Sequence, residues 1–535
     1  MYEGLRACLN AVVHLHIMQR SNIKVIAVTT VAILIILLFS YAYVGNDDGD
    51  DSLSGEVYII HTNDTHAYYD ENLGFTRVAA LREDLESRGA TVFMLDAGDA
   101  FQGTGYTMLT YGGSSVDILN AVGYDLMVPG NHEFDYGFET YLDNAAQLEF
   151  DTISANLCYA DTGELVFEPY KIIERDGYRL GVFGLCTPDT LDLVMPGYLD
   201  DITITDPVEA SRQMVEVLQG EDVDCIVALG HIGVDPSSSI TSDQICAEVD
   251  GIDLFIDGHS HTVMSGGEVV GSDYTLQESD TLIASTGYAL QHIGLVCLTS
   301  DEGYTAELVD SYDDTDPEID AVIADMHARF DETMGEVIGH TDIELTGERT
   351  QSRLMEVGLG DFVTDTIREM TGADVALYNG GSIRAPIAPG DITAGMVYES
   401  FPFENYVVTK ILTGEQLIEV LEGGLAGLPG AAGGYLQVSG ITVTYDSSQP
   451  AGSRIVSVIM ADGSQMDPDE TYLVASNDYV MAGGDNYPIL AEIEAAGQYG
   501  LVYDALFDRF SEIGTITTID TGRLTDIAST DADEQ

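Results

Sequence analysis

Basic residues are what this chain has least of. Only 19 lysines and arginines stand against 91 aspartates and glutamates, a formal net charge of −72, and the only lysines are Lys24, Lys171 and Lys410. A surface of that sign repels polyanions, which excludes a nucleic acid polymer or an anionic lipid surface as a natural partner. It suits high salt, where the Debye length falls to roughly 3 Å at 1 M and self-repulsion fades. A halophilic host is therefore expected; a fold left intact by desalting would contradict that. Cysteine is also scarce. The six (Cys8, Cys158, Cys186, Cys225, Cys246, Cys297) include no Cys-x-x-Cys pair, and none lies beyond residue 297. That excludes a zinc ribbon and a disulfide framework. Cys225, in the run DCIVALG, reads as a small core residue.

One uncharged apolar stretch, residues 25–44, is long enough to cross roughly 30 Å of hydrocarbon as a helix. Arg20 and Lys24 precede it and NDDGDDS follows. Positive charge on the near side makes 1–24 a cytoplasmic tail, 25–44 a transmembrane signal anchor and 45–55 an acidic linker, with the remainder outside. Cleavage of the segment would leave the same bulk secreted. Met18 is an alternative start to Met1.

At 535 residues there is room for two or three domains beyond that segment. From Glu56 to about Val309, short apolar runs alternate with polar, helix-like stretches, the mark of an α/β layered domain. Four runs end alike. Val92-Phe93-Met94-Leu95 leads into Asp96-Ala97-Gly98-Asp99, and Leu126-Met127-Val128 into Pro129-Gly130-Asn131-His132. Ile226-Val227-Ala228-Leu229 leads into Gly230-His231, and Leu254-Phe255-Ile256 into Asp257-Gly258-His259-Ser260-His261. Each is a buried strand, then glycine, then a side chain able to bind metal. A fifth motif, Asp64-Thr65-His66, closes the run Val57-Tyr58-Ile59 and sets a carboxylate and an imidazole on one side of an extended chain. Strand ends aligned along one sheet edge would deliver all five to a common point. His61 fits strand packing better, and His292, His327 and His340 read as satisfied or solvated surface side chains.

The ordered motifs DTH, GDAFQGT, GNHEFDYG, GHIG and DGHSHT resemble those of the calcineurin-like metallophosphoesterases. The resemblance is specifically to the 5′-nucleotidase branch with its periplasmic UDP-sugar hydrolases, over roughly residues 56–525. It implies an N-terminal four-layer αββα metallophosphoesterase domain and a C-terminal α/β substrate-binding domain. It further implies two divalent ions (Zn, Mn, Mg or Co), with Asp64, His66 and His261 on one, Asn131, His231 and His259 on the other, and Asp99 bridging. His261 departs from the family, where several relatives carry glutamine. His132, oriented by Asp135, would be the catalytic acid. Glu133 reads as a helix-start carboxylate.

Residues 316–335 carry Ile319, Val322, Ile323, Met326 and Phe330 at helical spacing and read as a connecting helix. Beyond it, Arg353 and Arg384 stand near a helix start and a glycine turn, an anion-binding arrangement in a chain so poor in arginine. Arg349 is an alternative to Arg353. By the resemblance, Phe403 and Tyr479 sandwich the base, as rings do irrespective of base identity. Asp485 would bind the ribose, Asn379 and Asn405 would lie near the base, and Arg353 and Arg384 would bind phosphates. Two more departures fall here: Tyr479 replaces a frequent phenylalanine, and Asn486 replaces the glycine of GGDGY. Residues 423–434 read as a flexible loop and 526–535 as a disordered acidic tail.

The domains expected are thus a metallophosphoesterase unit over 56–315, a linker helix over 316–337 and a substrate domain over 338–525. The implied activity is extracytoplasmic hydrolysis of nucleoside 5′-monophosphates, with nucleotide sugars, di- and triphosphates or 2′,3′-cyclic nucleotides as further candidates. The alternatives are a thiosulfohydrolase-like sulfur-ester hydrolase and a catalytically inactive nucleotide binder. The partner implied is a small nucleotide.

Overall fold

In the computed structural model, which describes residues 52–194, 198–265, 268–272, 274–300 and 303–530, all four glycine-terminated runs are buried strands. Val57–Thr62, Thr91–Asp96, Leu126–Met127 and Asp151–Thr152 run parallel in one six-stranded sheet. In a seven-stranded second sheet, Tyr178–Cys186, Cys225–His231, Leu254–Ile256 and Leu282–Thr286 are neighbours and parallel.

Alternation along these strands divides their side chains between two faces. Leu180, Val182, Val227, Leu229, Leu254 and Ile256 pack toward the first sheet, in one core with Ile59, Phe93 and Leu95. Phe183, Leu185, Ile226, Ala228 and Phe255 pack with residues of the helices Pro207–Gln219 and Ser242–Glu248. Parallel strands end at the same edge, so both sheets deliver their C-terminal loops to one rim.

The linking helix is Pro317–Met334. Its proline occupies the first turn, the Asp316 carboxylate accepts from the Glu318 and Ile319 amides, and Ile319, Ile323 and Met326 face the core. The second domain is built on a five-stranded sheet. There Val375–Asn379 and Thr471–Asn477 are parallel, and Tyr406–Thr413 runs antiparallel with Val407 opposite Asn477. Asn379, Asn477 and Tyr406 therefore meet at one edge.

The glycine-rich stretch 423–434 is not loop throughout: the helix Gly414–Leu425 takes its first three residues. Gly424 packs so tightly that a Cβ would lie 3.1 Å from the Tyr487 hydroxyl. The C-terminal tail also starts later than 526, since Leu524–Asp526 pairs with strand Ile441–Tyr445 and Ile527–Thr530 is helical. No helix among the described residues is long and apolar enough to cross a membrane; the 25–44 segment and the 1–24 tail lie outside them.

His61 is 1% exposed, and neither ring nitrogen has a hydrogen-bond partner. Burial lowers its pKa to about 4. The unfolded chain, with an ordinary imidazole near 6.5, binds the proton more readily, so stability falls as pH drops from about 6.5 toward 4. His61→Leu is expected to remove that component, about 3 kcal/mol by pH 4. Urea titrations of both proteins at pH 7.5 and 4.5 check it; parallel acid losses would contradict it.

Candidate metal centre and substrate cleft

The rim gathers the metal-competent side chains. Asp64, Asp99, Asn131 and His231 are buried, His66 is 8% exposed, and His261 is the most open of the set. Asp99 Oδ2 lies 3.2 Å from His231 Nε2 and 3.9 Å from His66 Nε2. Asp64 Oδ1 lies 3.5 Å from His261 Nε2 and 4.0 Å from His231 Nε2. Two ligand groups result, Asp64–His66–His261 and Asp64–Asp99–His231, with Asp64 common to both. Asn131 Oδ1 sits 2.9 Å from His259 Nδ1, which brings the remaining two candidates together beside them.

The residues fit a pair of cations. His231 Nδ1 faces the Ala97 carbonyl at 2.7 Å and His66 Nδ1 the Gln102 carbonyl at 3.2 Å. Donation to those carbonyls fixes the tautomer that leaves Nε2 a bare lone pair. His231 Nε2 is buried and, with Asp99 Oδ2 3.2 Å away, makes no well-formed hydrogen bond. Burial opposes the charged form of this ring, but Asp99 raises its pKa to about 10. The Nε2 atoms of His66 and His261 face each other at 3.1 Å. Burial, with Asp99 alongside, raises the Asp64 carboxyl to about 8, while burial holds His66 and His259 down to about 4. A metal ion relieves both conditions, since it stabilises carboxylate and neutral imidazole together.

Five of the seven proposed ligands, Asp64, His66, Asp99, His259 and His261, have left-handed backbone with φ between 48° and 76°. Such conformations cost about 1–3 kcal/mol each outside glycine and cluster where side chains are held for function. Gly130 is required by crowding: a Cβ there would lie 2.3 Å from Asp99 Oδ1 and 2.7 Å from the His231 ring.

His132 stands beside the ligands. Its amide donates to Asp99 Oδ1 at 2.8 Å, and its Nδ1 lies 2.6 Å from Asp135 Oδ2. Burial opposes the charged ring, but Asp99 and Asp135 outweigh it and lift the pKa to about 10.

Glu133 is more than a helix-start carboxylate. It is 2% exposed and accepts four amides, those of Asp99, Ala100, Phe101 and Gly130. It thereby ties the two ligand-bearing turns together. Two other supports were not singled out from the sequence. Asn63 Nδ2 donates to Asp64 Oδ2 and to the Gly287 carbonyl, and Tyr288 stacks on the His261 ring with centroids 5.1 Å apart. His292, His327 and His340 each lie within 4 Å of a carboxylate, away from this cluster.

The candidate substrate residues gather at the second domain's sheet edge. Asn379 Nδ2 donates to Asp485 Oδ2 at 2.7 Å, and Asn405 Nδ2 to Asp478 Oδ1 at 2.9 Å, beside Tyr479. The Arg384 guanidinium lies 4.8 Å over the Phe403 ring, and Arg353 reaches the Gly381 carbonyl. Neither arginine, nor Arg349, lies within 4 Å of a carboxylate among the described residues. Phe403 and Tyr479 are 39% and 47% exposed, so neither is core packing. Asn486 has φ 69°, a conformation asparagine tolerates better than most non-glycine residues, which explains how it replaces glycine there.

The two clusters adjoin. Gln102 and Tyr136 of the first domain donate to Glu404, the neighbour of Phe403, and Tyr406 donates to the Asp135 carbonyl.

Comparison with known proteins places both halves. Residues 57–263 match the calcineurin-like phosphoesterase family and residues 337–492 the 5′-nucleotidase C-terminal domain. The chain is similar to the trifunctional nucleotide phosphoesterase protein YfkN of Bacillus subtilis, 31% identical over 86% of this chain but only 34% of that protein. It is 27% identical to the 5′-nucleotidase of Vibrio cholerae, across 82% of this chain and 86% of that one. Among solved structures, the 5′-nucleotidase precursor of Thermus thermophilus matches with TM-score 0.53 and 29% identity, covering 88% of this chain and 99% of that one.

Proposed function

Because this chain belongs to the 5′-nucleotidase family of calcineurin-like metallophosphoesterases, we propose that it hydrolyses nucleoside 5′-monophosphates to nucleoside and phosphate at a dinuclear metal site. The observation that carries the reading is the adjacency of the ligand cluster and His132–Asp135 to a segment bearing an exposed aromatic ring, through the Glu404 and Tyr406 contacts.

In this reading Asp64, His66 and His261 would hold one ion and Asn131, His231 and His259 the second, with Asp99, 3.2 Å from His231 and 3.9 Å from His66, available to both sets and Asp64 near His231 as well. The ions would activate water at neutral pH and polarise the phosphoryl oxygens. Phe403 and Tyr479 stack on the base, Asp485 with Asn379 takes the ribose hydroxyls, and Asn405 lies at the base edge. Arg353 and Arg384 hold phosphate oxygens. His132 delivers its proton to the departing 5′ oxygen, while Asp135 Oδ2 fixes the ring through Nδ1. The units proposed are 56–315 for the metal domain, 316–337 for the linker and 338–525 for the substrate domain. The 25–44 segment would anchor them outside the cytoplasmic membrane.

The test is phosphate release from AMP, ADP, UDP-glucose, 2′,3′-cyclic AMP and an aryl phosphate, by wild type and Phe403→Ala. AMP should be the best substrate, and Phe403→Ala should raise its KM about tenfold or more, in line with about 1–3 kcal/mol of ring–base stacking. Turnover of the aryl phosphate without any nucleotide would keep the metal site and overturn the nucleotide reading.

A further inference from the structure

Lys410 is one of only three lysines in the chain, and it is spent in the interior. It sits on the strand Tyr406–Thr413, paired with Val474 on one side and Ala495 on the other, and is 7% exposed. With 91 acidic residues available, none within 4 Å pairs with it among the described residues. Its Nζ instead donates to two carbonyls, those of Met481 at 3.0 Å and Leu490 at 2.7 Å. Burying an ammonium without a counter-charge is costly, and burial lowers its pKa accordingly. The two carbonyls show what that cost supports.

Met481 ends the helical turn Asp478–Met481, which carries Tyr479 as its second residue, and Leu490 lies in the turn Pro488–Ala491. Between them the chain makes its least relaxed passage in this domain: Gly483, Asp485 and Asn486 all have positive φ, at 95°, 54° and 69°. Nζ therefore bridges the two flanks of the excursion that presents Asp485, just after Tyr479. An ammonium has three donors and no acceptor, so it can hold two carbonyls at once. A neutral aliphatic residue of that length would take the ammonium from the Met481 carbonyl and leave the Leu490 carbonyl only local backbone donors such as the Ile493 amide at 3.3 Å.

We infer that Lys410 is a positioning residue for nucleoside recognition, fixing the 478–491 segment so that Tyr479 and Asp485 meet the base and ribose. The inference rests on the nucleotide reading above and extends it to a residue that touches no substrate. It leaves the metal cluster untouched, which separates this role from a general structural one.

The experiment compares full-length wild type, Lys410→Met and Lys410→Gln on AMP and on p-nitrophenyl phosphate, which has no nucleoside. For Lys410→Met, KM for AMP should rise about tenfold, the equivalent of one or two lost hydrogen bonds. Its kcat should hold, and the aryl phosphate parameters should stay at wild-type values. Lys410→Gln, which keeps donors on a shorter arm, should fall between. Amide hydrogen exchange over 482–489 should quicken while that of Val375–Asn379 does not change. Equal losses on both substrates, an unchanged KM for AMP, or failure of both variants to fold would each overturn the inference. If wild type itself does not hydrolyse AMP, the underlying nucleotide reading falls; if it does and Lys410→Met keeps its KM, only the positioning role falls.

Discussion

His132→Ala is expected to lower kcat for AMP by about 10²–10⁴-fold while leaving metal content unchanged. The ring contributes no atom to either ligand group. Its Nδ1 is taken by Asp135, and its Nε2 is left to act in the cleft. Protonation matters most when the departing oxygen is a poor leaving group, as a ribose 5′ alkoxide is. An aryl phosphate, whose phenolate leaves readily, should therefore lose much less than AMP in the same variant. Asp135→Asn, which keeps the shape but weakens the hold on the ring, should give a smaller loss on AMP than His132→Ala. Equal losses on both substrates, or loss of bound metal, would reassign His132 from proton donor to part of the scaffold.

The second large effect is expected at Glu133. Its carboxylate is the acceptor for four amides on two turns, one running from Asp99 to Phe101 and the other leading to Asn131. Hydrogen bonds to a buried charge contribute about 1.5–3 kcal/mol each. Glutamine is nearly isosteric but offers one oxygen, and its NH₂ group would point a donor at amides that need an acceptor. Glu133→Gln should weaken metal binding by about 10–100-fold, the usual scale for a group that orients ligands, and should lower Tm. Competition against a fluorescent chelator reads the affinity without relying on turnover. Wild-type affinity in a destabilised variant would make Glu133 purely a fold residue.

Much of the metal site could be read from the chain because parallel strands impose a simple rule. When each run of buried residues ends in glycine and a ligand, and the runs are parallel neighbours, the ligands share a rim. His231 is the last residue of Cys225–His231, and Asp99 follows Thr91–Asp96 by one turn. The connecting helix was equally readable, since its proline, capping aspartate and apolar spacing are all local.

What was not readable depends on backbone groups brought together by folding. The amides that Glu133 collects lie more than thirty residues upstream for three of the four, and nothing in GNHE reveals them. The stacking of Tyr288 on His261 and the Glu404 contacts join segments far apart in sequence. Gly424 looks like a loop residue in isolation, and only Tyr487 and Leu436 packed against it explain why glycine stands there in a helix. Lys410 would be taken for a surface charge by residue type alone.

The central claim is that this chain carries a dinuclear metal site that acts on a nucleotide. The most direct measurement is metal stoichiometry on the purified protein, made together with AMP hydrolysis before chelation, after it, and after adding back Mn²⁺, Zn²⁺, Mg²⁺ or Co²⁺ singly. Two ions per chain are expected, with turnover abolished by chelation and restored by at least one of the four. Asp99→Ala should lose both the metal and the activity. AMP hydrolysis that persists in the fully metal-free protein, or a chain that binds no divalent ion, would contradict the account.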